Sequence, residues 1–154
     1  MSGRPAPPTG SAPPQEAELA GGEVLDLVRL ATTICDRYRA EFPDEAERYG
    51  EAGIAWCRHD NQHILAWAAA ATRGFVDLGA KVDWLAGVLA ARDFPVSRLA
   101  RDLEIAADVV RGESLEGSGR LAAALAEAAT ALRHPSAAGG PEGALPPSAR
   151  DDGT

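Results

Sequence analysis

Residues 44–73, DEAERYGEAGIAWCRHDNQHILAWAAAATR, decide the fold. The stretch holds two of the chain's three Trp, two of its three His and one of its two Cys. At 100° per residue, Ile54, Cys57, Asn61, Ile64, Leu65 and Ala68 fall on one stripe of a helix. Trp56, Asp60, His63 and Trp67 fall on a second, on the far side. Asp44 after Pro43 predicts an N-cap, with Glu45 and Glu47 in the first turn where the helix dipole favours anions. Gly74 predicts the stop. The spacing therefore predicts one long helix. Being apolar on both sides, it is expected to be central and the most buried of the set.

The flanking segments repeat the helical period. A first helix is predicted over about 22–41, with Val24, Val28, Ala31, Cys35, Tyr38 and Phe42 in line and Pro43 ending it. A third is predicted over 76–92 on Leu78, Val82, Leu85 and Leu89, widened by Trp84 and Val88. A fourth covers 96–111 on Leu99, Leu103, Ala106 and Val110, entered through Phe94-Pro95. Residues 113–119 read as a loop. A fifth helix over 120–133 carries Leu121, Leu125, Ala128 and Leu132. It is Ala-rich, and small side chains bury little area, so it is expected to be a marginal appendage. No segment alternates as a strand would. The prediction is all-α: a compact bundle of four to five helices over 22–133.

Residues 1–21 and 134–154 are rich in Pro, Gly, Ala and Ser and lack apolar periodicity, so both read as disordered tails. The N-terminus has no apolar core of a signal peptide, and the longest apolar run, 64–72, is too short to span a bilayer. A cytoplasmic protein with reduced thiols is expected. The formal net charge of −8 disfavours nucleic acid, because an acidic chain repels phosphate backbones. Apart from Lys81, every basic residue is Arg.

Chemistry is concentrated on the central helix. His59 and His63 are four apart, the spacing metal sites use, and HDNQH approximates HExxH. Asp for Glu is a poor base, and no third ligand is evident, so no metal site is predicted. Cys57 lies on a different side of its helix from both His, and a mid-helix thiol gets little help from the N-terminal dipole, so it is not read as a nucleophile. With no paired carboxylates and no Gly-rich phosphate loop either, a non-enzymatic protein is expected. A ligand pocket near Trp56, Asp60, His63, Trp67 and Trp84 is one reading. A buried polar network that merely sets helix register is another.

The residues also carry a family resemblance. Cys57-Arg58-His59-Asp60, then Ile64-Leu65-Ala66-Trp67, then Ala71-Thr72, resembles the chromophore-helix segment of phycobiliproteins. That segment reads Cys-x-basic-Asp, Ile-Leu-x-aromatic, Ala-Thr and a Gly turn. The similarity runs over about 57–110. It implies a globin-like fold and a linear tetrapyrrole (bilin) or haem-like ligand. Cys57 would stand where a thioether forms, and Asp60 where a carboxylate accepts pyrrole N–H groups. The family's propionate-holding basic residue falls at His59, one position after Arg58. Asp60-Asn61-Gln62-His63-Ile64-Leu65 is likewise similar to the Asp-x-x-His-x-Leu helix of globin-like or helix-bundle sensor domains in bacterial signalling proteins. Two expectations follow. One is a sensor or binding module with a tetrapyrrole or other apolar ligand. The other is a ligand-free regulatory module that docks a protein partner or a second copy through helices three and four, marked by exposed Val88, Ile105 or Val109.

Overall fold

A computed structural model describes residues 8 and 12–135. Five helices dominate: α1 (Leu27–Glu41), α2 (Asp44–Thr72), α3 (Leu78–Ala91), α4 (Val96–Arg111) and α5 (Ser118–Arg133). A two-stranded antiparallel hairpin, β1 (Glu16–Glu18) and β2 (Val24–Asp26), precedes them, pairing Ala17 with Leu25. The all-α bundle is as the periodicity predicts, with helix ends within about two residues except at the first.

The hairpin corrects the N-terminal expectation. Residues 22–26 are turn and strand rather than helix, and 16–21, expected to belong to a tail, are ordered. Strands of three residues are too short to show alternation. What holds them is burial of Leu19 and Leu25, at 2% and 1% exposure. Asp26 then caps α1, its carboxylate accepting from Arg29 N at 3.1 Å. The rest of the expected tails, apart from 8, 12–15, 134 and 135, lies outside the described residues.

The turn of the hairpin also serves the far end of the chain. The Glu23 carboxylate accepts from Glu116 N at 2.6 Å and Gly117 N at 3.1 Å, at the entrance to α5. That helix has no side-chain cap of its own at Gly117, so Glu23 supplies the anion its N-terminus favours. Glu23→Ala is expected to lower unfolding free energy by about 1–2 kcal/mol in chemical denaturation. An unchanged midpoint would show that the contact contributes nothing.

The central helix differs from expectation in two ways. Gly50 adopts φ 65° and ψ −159°, which breaks α2 into a short entry segment and the main rod beyond it. After the break Tyr49 lies against Gly53, where a Cβ would approach Tyr49 Cβ to 2.5 Å. Asp44 is the first helical residue rather than the cap, and its carboxylate accepts from Arg98 Nη2 at 3.1 Å. The other end is as predicted. Gly74 has φ 84° and donates to Ala71 O, while Phe75 N donates to Ala70 O, a Schellman pair.

Nor is α2 the most buried helix. Its buried residues are confined to Asn61, Gln62, Ile64, Leu65, Ala68 and Ala69. Helix α4 buries Leu99, Ala100, Asp102, Leu103, Ile105, Ala106, Ala107, Val109 and Val110, and is the true centre. The reason is α5, which is no appendage. Its Ala122, Ala128 and Ala129 are buried and small, so the helix comes close to its neighbours, and Leu121 and Leu125 fill the core at 0% exposure. Across the bundle, Arg98 donates to Glu45 Oε2 at 2.7 Å, and Tyr38 Oη donates to the same oxygen at 2.7 Å, joining α1, α2 and α4.

Candidate functional site

Helix α2 presents different chemistry on its two sides. The outer side carries a ladder of rings. Trp56 and His59 stand edge-on with centroids 5.1 Å apart, His59 and His63 4.7 Å, and His63 and Trp67 5.9 Å. Trp67 meets Trp84 of α3 edge-on at 6.4 Å. The i, i+3 and i, i+4 spacing of these side chains places each ring over the next. Cations lie against the ladder. Arg92 is 5.4 Å from the Trp56 centroid, and Lys81, the chain's single Lys, is 5.8 Å from that of Trp67. Close by, Arg73 lies 4.9 Å from the Phe75 ring.

Asp60 sits at the edge of the ladder, mostly buried. Its Oδ1 is 3.2 Å from His59 Nδ1, the geometry of an imidazole N–H donating to a carboxylate. Burial raises its carboxyl above the usual range, against opposing attraction from His59 and Arg92. Burial and the neighbouring His59 lower the proton affinity of the His63 imidazole.

The ladder ends in an open groove of about 620 Å³ lined by Trp67, Val76, Asp77, Ala80, Lys81 and Trp84. Trp84 is 62% exposed and Phe75 67%, the two exposed aromatic side chains among the large hydrophobics described. Helix α3, LGAKVDWLAGVLAA, is apolar around most of its circumference. Only Leu78, Val82, Leu85 and Ala86 are buried.

The inner side of α2 holds a polar cluster inside the core. Asn61 Nδ2 donates to Asp102 Oδ1 of α4 at 3.1 Å and to Cys57 O at 3.0 Å. The same nitrogen is 3.5 Å from Cys57 Sγ and 3.7 Å from Cys35 Sγ of α1. Asn61 Oδ1 is buried with no partner among the described residues. Burial pushes the Asp102 carboxyl up to about 7, with Asp60 and Glu45 adding and Asn61 opposing. Hydrogen bonding with the adjacent Cys35 thiol, then burial, pushes the Cys57 thiol well above its usual value. A small void of about 10 Å³ beside Cys57, at the α2 break, is lined also by Tyr38, Arg39, Glu45, Gly50 and Ile54.

The expected site residues are thus divided. Trp56, His59, Asp60, His63, Trp67 and Trp84 share the outer face. Cys57 lies on the inner side with Cys35, and Arg58 is exposed to solvent between the two. Ile105 and Val109, expected to mark an exposed patch, are buried in the core at 3% and 7%, because α4 is central. A docking face on helices three and four therefore narrows to α3. No group of three or more His, Cys, Asp or Glu able to hold a metal ion occurs among the described residues. None of their helices is long and apolar enough to cross a membrane. Asp102 and Asn61 escaped sequence reasoning as a pair. The signal was present: Asp102 interrupts the apolar stripe of α4 between Leu99 and Ala106.

No protein-family model, curated protein or solved structure matches the chain.

Proposed function

We propose that the chain is a non-enzymatic, cytoplasmic helical module that recognises a protein partner through the ring-lined face of α2 and α3. The observation that carries this reading is Trp84. It stands 62% exposed on a helix whose apolar surface exceeds what the bundle covers, beside an open groove and a ladder of four further rings. Contiguous exposed aromatics with cations at their rim are the composition of an interface centre. The chemistry around it suits binding rather than turnover. His59 and Asp60 engage each other, and Asp102 faces an amide in the core.

A second reading has its own support. The groove is of ligand size, and Asp60, a mostly buried carboxyl with a raised proton affinity, lies further along the same ring-lined face. A flat tetrapyrrole in the groove would lie against Trp67 and Trp84 and would have to extend past His63 for its N–H groups to reach Asp60. Covalent attachment would need the Cys57 thiol to turn away from Cys35 and Asn61.

A photo-crosslinking side chain at position 84 tests the first reading in cells. It should capture a discrete protein, or a second copy of this chain, while the same group at exposed Arg120 should not. Failure to crosslink at 84, with a saturable haem or biliverdin spectrum abolished by Asp60→Asn, would replace the partner with a ligand.

A further inference from the structure

The core between α1 and α2 contains a pair of thiols that the reading above does not use. One donor, Asn61 Nδ2, is within 3.7 Å of Cys35 Sγ and 3.5 Å of Cys57 Sγ, so the two sulfurs lie within about 7 Å of each other at most. They are the chain's only cysteines, so each has the other as its one intramolecular partner. Access is unequal. Cys35 is 1% exposed, whereas Cys57 is half-buried and borders the void at the α2 break. That break is made by Gly50, and Gly50 and Gly53 both line the void.

We propose that Cys35 and Cys57 are an oxidative modification site, closing to an intramolecular disulfide that staples α1 to α2. The oxidant is hydrogen peroxide, approaching Cys57 from its partly exposed side at the α2 break. The Cys57 thiolate attacks one peroxide oxygen, breaking the O–O bond and giving a sulfenic acid and hydroxide, which takes a proton to become water. The Cys35 sulfur then attacks the Cys57 sulfur, the S–O bond breaks, and the hydroxyl leaves with the Cys35 proton as a second water. The two thiols lose two electrons and two protons in all, and one peroxide is reduced to two waters. Cys57 is the attacking residue because it borders the entry, and Cys35 resolves because it is buried beside it. The high proton affinity of Cys57 makes the resting pair slow, so closure is a response to sustained oxidant rather than to a trace. The bridge fixes α2 to α1 on the core side of the Gly50 break and leaves the ring-lined face untouched. It does not depend on what binds there.

The test treats the full chain with hydrogen peroxide and follows intact mass. Wild type should lose about 2 Da, return to its starting mass with dithiothreitol, stay monomeric and give no dimedone adduct, and its melting temperature should rise by several degrees. The rate should climb about tenfold from pH 7 to pH 8, as expected for a thiol titrating above that range. In Cys35→Ser the loss should vanish and dimedone should label Cys57. A mass gain of about 32 Da, a disulfide between chains, or thiols unchanged after hours of peroxide would each overturn the proposal, and the wild-type measurement does not depend on how the variant folds.

Discussion

Asp102→Asn is expected to make the protein more stable at pH 8 and to remove much of the pH dependence of its stability between pH 4 and pH 8. The wild-type carboxyl is fully enclosed and ionises at about 7 in the folded protein, against about 3.9 for an unfolded Asp. Between those values the folded protein holds a proton that the unfolded chain has released. Raising the pH through that window therefore costs stability, at up to about 1.4 kcal/mol per unit, with no further loss above it. Over the whole window this is about 4 kcal/mol. An amide at 102 keeps the size and does not ionise. Its N–H groups also face an available acceptor, since Asn61 Oδ1 has no partner among the described residues. Asp60, raised by burial, contributes in the same direction in both proteins. Asp44 and Glu104, lowered by arginines, contribute in the opposite one. The informative quantity is thus the difference between wild type and variant, from urea melts at pH 5 and pH 8. The variant's advantage should be about 2–3 kcal/mol larger at pH 8 than at pH 5. Parallel pH profiles would mean that Asp102 is ionised throughout and stabilised by something other than Asn61.

Leu125→Ala should destabilise the protein by about 2–5 kcal/mol, the range for a buried leucine truncated inside a close-packed core. Leu125 is 0% exposed, and its neighbours on α5 are largely alanines, which have no atoms to spare for filling the space left. Leu132 lies on the same predicted stripe but is only partly buried, so Leu132→Ala should cost clearly less. Guanidinium melts of the two variants compare them directly. A cost below about 1 kcal/mol at Leu125 would return α5 to the marginal role its composition suggests.

Those two sites show where sequence reading succeeds and stops. The helices were legible because Leu78, Val82, Leu85 and Leu89, or Leu99, Leu103, Ala106 and Val110, repeat a period that only a helix satisfies. The rank of the helices was not. An alanine stripe looks weak in isolation, and its value as a close-approach surface exists only against a partner, as α5 shows. Gly50 was equally opaque: one glycine in a helical pattern is ordinary, and its positive φ depends on tertiary context. The hairpin was hidden because three-residue strands have no period to read. For the candidate site, the ladder of Trp56, His63 and Trp67 was legible as a shared face. The insertion of His59, the approach of Trp84 and the core pairing of Asn61 with Asp102 are contacts between elements, on which spacing along one helix is silent.

The reach of Glu23 to the entrance of α5 has a meaning in time as well as in space. During synthesis the hairpin leaves the ribosome before any of the helices, yet the amides of Glu116 and Gly117 that its carboxylate binds are made more than ninety residues later. Until then Leu19 also lacks Gly117, the backbone it packs against. Contacts of such long sequence separation carry the largest loop-closure cost and form late. The earliest of the described elements to emerge is therefore among the last to be fixed. A nascent chain halted before Leu115 would leave the hairpin open to proteases, whereas one extended past Arg133 would hold it closed against α5.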